Sequence, residues 1–131
     1  MQEFQYLGKK TGKPSKKLDT FPTPENVKLV KFESNELTSL CPVTGQPDFN
    51  NVVIEFSPDK LCIESKSLKL YLWSFREEAT FAEGLANTIA NDIFNAVAPH
   101  WCKVTLVQNI RGGLQLSVVA EKSGNLTSSM K

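Results

Sequence analysis

TFAEGLANTIANDIFNAVAPHWCKVTLVQNIRGGLQLSV, residues 80–118, decides the architecture. In its first half Phe81, Leu85, Ile89, Ile93, Phe94 and Val97 recur at spacings of three and four. That spacing puts them on one apolar face of a helix over 80–97. Thr80 followed three residues later by Glu83 has the form of a capping box, and Pro99 supplies a stop. In the second half the period changes to two. Val104 and Leu106 share one face of a strand, Arg111-Gly112-Gly113 makes a turn, and Leu114, Leu116 and Val118 alternate in the return strand.

Upstream, Val27–Phe32 is strand-like, and Ser34–Phe49 reads as a loop rich in turn residues. Asn51–Phe56 alternates again, Ser57-Pro58-Asp59-Lys60 is a turn, and Leu61–Ser65 extends, so 51–65 reads as a hairpin. Lys66–Phe75 fits either a short helix or a strand. Hairpins flanking helices predict an α+β domain, an antiparallel sheet with helices on one face. Its uncovered sheet edges predict pairing with further copies. The domain is expected over residues 26–120, between an extended N-terminal arm (1–25) and a loose polar tail (121–131). The arm carries Lys9, Lys10, Lys13, Lys16 and Lys17 among Gly12, Pro14 and Ser15, a composition that does not bury a core.

The 131 residues suit one domain, and 40% hydrophobic content suffices for a core. A formal net charge of +1 lacks the basic excess of a nucleic-acid binder. No run approaches the ~18 apolar residues of a membrane span, and the N-terminus lacks the apolar centre of a signal peptide. The expected location is the cytoplasm. Cys41, Cys62 and Cys102 are odd in number and widely spaced, so neither a disulfide framework nor a zinc site is expected. His100 is the only histidine. No Ser-His-Asp triad or multi-histidine metal site can therefore be assembled. GxGxxG and P-loop motifs are absent.

Two stretches could carry chemistry. In LTSLCPVTGQPDF (37–49), Cys41 and Asp48 flank a segment stiffened by Pro42, Gly45 and Pro47. A turn there could bring a thiol and a carboxylate together, a nucleophile with a proton-transfer group beside it. The ordinary alternative is a buried cysteine in a structural loop. ESKSLKLYLWSFR (64–76) carries Lys66, Lys69 and Arg76, which suit phosphates, and Tyr71, Trp73 and Phe75, which can stack or pack. A solvated basic face would explain the same pattern. Glu83 either caps the helix or accepts two hydrogen bonds from a guanine-like edge.

These segments, with TFAE (80–83) and the RGG turn (111–113), resemble the 7-cyano-7-deazaguanine reductases, nitrile oxidoreductases of queuosine biosynthesis, in their short single-module form. The resemblance runs over roughly residues 37–116, and ESKSLKLY with CPxTGQPDF makes it specific. It implies the tunnelling fold, with subunits closing into barrels, often pentamers stacked face to face, and sites between subunits. It implies a small deazapurine nitrile as substrate and NADPH as cofactor, with no metal. Cys41 would add to the nitrile carbon as a covalent thioimide, and Asp48 would protonate the nitrogen. Ile63, Glu64, Ser65, Phe81, Ala82 and Glu83 would line the base pocket, with Glu83 reading the pyrimidine edge. Lys66 and Lys69, with Arg76 or Arg111, would hold the NADPH phosphates. One position departs from the pattern: Ala82 stands where the family usually has histidine.

Two other functions fit parts of this pattern. A related amidinotransferase would form the same thioimide on a nitrile-bearing nucleic acid and resolve it with ammonia. Such relatives generally lack the ESKSLKLY signature. A non-catalytic tunnelling-fold protein that binds a pterin or purine would not need both Cys41 and Asp48.

Overall fold

The computed structural model describes residues 13–124. The elements are β1 (Thr20–Pro22), β2 (Val30–Leu40), β3 (Pro47–Ser57), β4 (Leu61–Ile63), α1 (Ser65–Trp73), α2 (Ala82–Val97), β5 (Trp101–Arg111) and β6 (Leu114–Ser123). Four long strands form one antiparallel sheet in the order β2-β3-β5-β6, and β1 pairs with β4. Both helices pack on the same face of the large sheet. Leu68, Tyr71 and Leu72 of α1 and Leu85, Ile89, Ile93 and Val97 of α2 join Val52, Ile54, Phe56, Val104 and Leu106 in a single core. At about 1.5–3 kcal/mol for each large aliphatic side chain buried, this cluster is the main source of stability. Among the described residues no helix is long and apolar enough to cross a membrane.

The α2–β5–β6 unit follows the pattern of its sequence. Gly112 and Gly113 have φ of 60° and 78°, and Arg111 pairs with Leu114 across them. Two successive positive φ values define a type I′ turn, whose twist matches that of the strands it joins. The capping box, however, does not form. The Thr80 N–H donates to Leu40 C=O (3.1 Å), because residues 78–80 run beside the end of β2 in a parallel bridge, Leu40 with Ala79. Phe81 is the N-cap, with no side-chain cap bond. It is 59% exposed rather than part of the core stripe.

Three further expectations change. The long loop expected at 34–49 shrinks to 41–46, because β2 continues to Leu40 through a bulge between Ser34 and Leu37. The bulge moves the inward positions by one residue, so Leu37 and Ser39 face the core. That phase shift, on a polar edge strand, hides the strand in the sequence. The expected hairpin at 51–65 is not one: β4 turns away from β3 and pairs with β1, Phe21 opposite Cys62. The ambiguous stretch 66–75 is helix as far as Trp73 and turn after it. The side chain of Glu64 accepts from the N–H groups of Lys66 (2.9 Å) and Ser67 (2.8 Å), which caps α1. Tyr71 and Phe75 are buried in an edge-to-face pair, centroids 5.1 Å apart, and Trp73 lies on the opposite, solvent side.

The described part of the arm is a strap along α1. Ser15 N–H donates to Leu70 C=O, Asp19 N–H to Ser67 Oγ, and Glu64 N–H to Asp19 C=O. Lys16 pairs with Glu78 and sits 4.5 Å above the Phe75 ring. At the other end β6 runs on to Ser123. Lys9, Lys10 and residues 125–131 lie outside the described residues.

Candidate functional site

The site is built where β2 ends. After Leu40 the chain turns through Pro42–Gly45 and re-enters the sheet as β3. Cys41 N–H donates to Gln46 C=O (2.8 Å), and Gly45 N–H donates to Cys41 C=O (2.8 Å). Gly45 has φ of 75°, a left-handed conformation that a side chain would strain. The turn therefore continues the β2–β3 ladder by one step, with Cys41 opposite Gln46, Leu40 opposite Pro47 and Ser39 opposite Asp48. In that register Asp48 is the diagonal neighbour of Cys41 on the same face of the ribbon. The register thus sets Cys41 and Asp48, seven positions apart in the chain, at diagonal positions on one face of the ribbon. The tie is a strand ladder.

The two groups sit in different surroundings. Cys41 is partly exposed. Its thiol is brought down to about 7, chiefly by the Thr44 hydroxyl, then by the backbone N–H groups of Thr44 and Val43, with a smaller contribution from the positive charge of Arg111. Hydrogen bonds to a thiolate favour the charged form, so a good fraction of Cys41 is nucleophilic at neutral pH. The other cysteines are inert by contrast. Cys62 and Cys102 are buried, and burial pushes the Cys102 thiol up. Asp48 is 4% exposed. The Arg111 guanidinium is in ion-pair contact with its Oδ1, although no N–H is aligned on that oxygen as a hydrogen bond. Arg111 Nη2 also donates to Gln46 Oε1 (3.1 Å).

The Leu40–Ala79 bridge brings the start of α2 to the same place. Cys41 follows Leu40 and Phe81 follows Thr80, so the nucleophile and the uncapped first turn of α2 are neighbours. Glu83 stands on that turn, exposed, with no hydrogen bond or ion pair among the described residues. Ala82 points into the core, so that position offers the site no proton-transfer group. Ile63 is buried, and the Glu64 carboxylate is committed to the α1 cap.

On the other side of β2, an open groove of about 1570 Å³ runs along α1. Ser65, Lys69, Trp73 and Arg76 line it, and Leu40 and Pro47 form its end at the Cys41 turn. Lys69 and Arg76 are exposed cations, a donor set that suits phosphate oxygens. Lys66 lies one turn away and is half-buried. The described residues contain no cluster of histidine, cysteine and carboxylates able to hold a metal.

Sequence reasoning missed three contributors. Thr44 and Gln46 lie inside the quoted loop, but their hydrogen bonds depend on the turn closing. Ser39 is 1% exposed, its Oγ has no hydrogen-bond partner among the described residues, and it stands directly opposite Asp48. Its signal in the sequence is the two-residue alternation with Leu37 and Cys41, visible once the strand is extended past Ser34.

The fold and the site together define a class: an α+β domain with a low-pKa cysteine and a buried carboxylate on adjoining strand ends, beside a groove with basic residues. Comparison with known proteins gives the family. A family model described as QueF-like protein matches residues 47–126. The NADPH-dependent 7-cyano-7-deazaguanine reductase of Syntrophus aciditrophicus is 49% identical over 123 residues, covering 92% of this chain and 87% of that protein. The enzyme of the same name from Nitrosospira multiformis is 46% identical, covering 83% and 80%. Among solved structures, the archaeosine synthase QueF-Like in its apo form superimposes with a TM-score of 0.71 at 27% identity, over 76% of this chain and 98% of that one. The chain belongs to the QueF-like family and has its tunnelling fold.

Proposed function

We propose that the protein is an NADPH-dependent 7-cyano-7-deazaguanine reductase, the activity for which its relatives at 42–49% identity are named. The observation that carries the reading is the meeting of the Cys41–Asp48 pair with the basic groove at the Leu40–Pro47 strand ends. An activated thiol and a phosphate-compatible surface share one border.

The chemistry balances with these residues. The Cys41 thiolate attacks the nitrile carbon, and one proton passes through Asp48 to the nitrogen, giving a thioimide. NADPH, when bound, supplies hydride to that carbon twice. After the first delivery Cys41 leaves as thiolate and the substrate becomes an imine. A second reduction would give the aminomethyl product with one further proton, so two protons and two hydrides are used in all, and the departing Cys41 thiolate needs none. Four electrons are consumed per nitrile, so two NADPH are oxidised. Cys41 holds the substrate covalently up to the first reduction; between the two reductions the imine stays in the pocket without that bond. Glu83 accepts the N–H groups of the pyrimidine edge, and the exposed Phe81 ring packs on the base. Lys66, Lys69 and Arg76 along α1, with Arg111 at the β5–β6 turn, hold the cofactor phosphates, and Ser65 lines the base pocket. Ile63 and Glu64 act from behind, by fixing the start of that helix. Ala82 transfers no proton, so Asp48 and solvent carry that work.

The edge strands β2 and β6 are open to pair with further copies. Barrel closure by such pairing would wall the Glu83 and groove surfaces with a second subunit. Three free cysteines suit a reducing compartment, the cytoplasm.

The test is NADPH oxidation by the purified protein with 7-cyano-7-deazaguanine, followed by absorbance and product mass. Two NADPH consumed per aminomethyl base supports the reading. Amidine formation from ammonia on a nitrile-bearing nucleic acid, without NADPH consumption, would replace it with the transferase.

A further inference from the structure

We infer that Ser39 is a positioning residue for the reaction: its hydroxyl turns across the β2–β3 ladder onto Asp48 and fixes the plane of that carboxyl toward the substrate nitrogen. The inference rests on the reductase reading above and adds to it a residue that neither the loop chemistry nor the family resemblance points to.

The inward stripe of the β2–β3 ribbon changes character as it nears the site. Val52, Ile54 and Phe56 of β3 are apolar and join the core. Asn50 and Asp48, the next inward positions, are polar and buried, and so is Ser39 on the facing strand. Asn50 is engaged by the framework. Its Nδ2 donates to Leu37 C=O (3.2 Å), and its Oδ1 accepts from Gln108 Nε2 (3.3 Å). Ser39 and Asp48 differ from it. Among the described residues, Ser39 Oγ and Asp48 Oδ1 are the two buried side-chain polar atoms without a hydrogen-bond partner. The Arg111 charge lies beside Asp48 Oδ1 without an aligned N–H. The two atoms belong to residues that stand directly opposite each other in the ladder.

Burying an unpaired hydroxyl or carboxyl oxygen costs stability, and here an unpaired donor faces an unpaired acceptor. Opposed side chains have Cβ atoms about 4.5–5.5 Å apart, a gap that one rotation of Ser39 about χ1 closes. Serine is not β-branched, so its χ1 is free to change wells. The χ2 torsion of an aspartate is broad, and a neighbouring charge alone sets the carboxyl plane loosely. A hydrogen bond from the opposite strand sets it, with Oδ1 held by Ser39 and Oδ2 left for the substrate nitrogen. Ser39 gives up no proton in this task and acts only through Asp48.

The test uses the full chain with Ser39→Ala and Ser39→Thr. Intact mass follows adduct formation with 7-cyano-7-deazaguanine in the absence of NADPH, alongside steady-state kinetics and thermal unfolding. Ser39→Ala should slow adduct formation about tenfold. The loss should fall on kcat, with the KM for the base and for NADPH within about twofold of wild type. Its Tm should equal or exceed that of wild type, because the hydroxyl removed makes no structural bond. Ser39→Thr keeps a hydroxyl and should recover most of the rate. A Tm lowered by several degrees with both KM values raised would make Ser39 an ordinary structural residue and overturn the inference. If wild type itself forms no adduct and oxidises no NADPH, the reductase reading fails and the inference falls with it. An active wild type beside an unimpaired Ser39→Ala overturns the inference alone.

Discussion

The two helices begin in opposite ways. α1 is sealed: the Glu64 carboxylate accepts two N–H groups of its first turn, and Asp19 C=O accepts the Glu64 N–H. α2 is left open: Phe81 caps it without a side-chain bond, and the only acidic group in its first turn, Glu83, is exposed. A helix start needs its N–H groups satisfied or solvated. The sealed start is therefore a fixed structural edge, and the open one, beside Cys41, is accessible surface. Spacing alone left Glu83 open between a helix cap and a base-reading group. Thr80 and Glu83 have the spacing of a capping box, and Glu64 sits in a stretch that the family resemblance places in the base pocket. Local spacing could not show that Thr80 is engaged by Leu40, forty residues upstream, because that contact exists only once β2 is extended.

The contrast can be broken at either helix. The largest effect is expected at the open one. Glu83→Gln should reduce kcat/KM by roughly 10²-fold, through loss of charge-assisted hydrogen bonds to the base. Its thermal stability should stay within about 0.5 kcal/mol of wild type, because no capping interaction is lost. A clear drop in Tm would restore the capping box. Glu64→Ala should do the reverse and cost about 1–2 kcal/mol in denaturant unfolding. Should Glu64→Ala leave stability untouched and abolish substrate binding, the sealed-helix account fails. Between the helices lies the Cys41 turn. The rate of iodoacetamide alkylation at Cys41 should rise with pH around a midpoint near 7, since only the thiolate reacts. Thr44→Val should move that midpoint upward, because the hydroxyl stabilises the thiolate; an unmoved midpoint would remove Thr44 from the account. The smallest effect is at the far end of α2, where Ala98 closes the helix with φ of 45°. Ala98→Gly should stabilise the protein by about 0.5–1 kcal/mol, measured by chemical denaturation, with no change in activity.

Much of the fold was legible because its signals are local. The apolar stripe from Leu85 to Val97 and the Gly112-Gly113 turn each specify their element within a few residues. What was hidden depended on partners distant in sequence. The pairing of β4 with Thr20–Pro22, the extension of β2 past its bulge, and the engagement of Thr80 all need the sheet to exist first. The site divides in the same way. Cys41 and Asp48 were visible as a thiol and a carboxylate in one stiff loop, and Lys69 and Arg76 as cations on one segment. Arg111 read as part of a turn and, through the resemblance, as a phosphate ligand; its ion pair with Asp48 was hidden because it joins residues sixty-three apart in the chain across two strand ends. Ser39 was invisible for the reason β2 was, since its inward orientation depends on the bulge.

The central claim is that Cys41 is a nucleophile toward a nitrile, and intact-protein mass spectrometry tests it most directly. Wild-type protein mixed with 7-cyano-7-deazaguanine should gain the full mass of one base per chain, mapped to Cys41, and lose it when NADPH is added; Cys41→Ala should gain nothing. Reductive turnover by Cys41→Ala, or an adduct mapped to Cys62 or Cys102, would contradict the account.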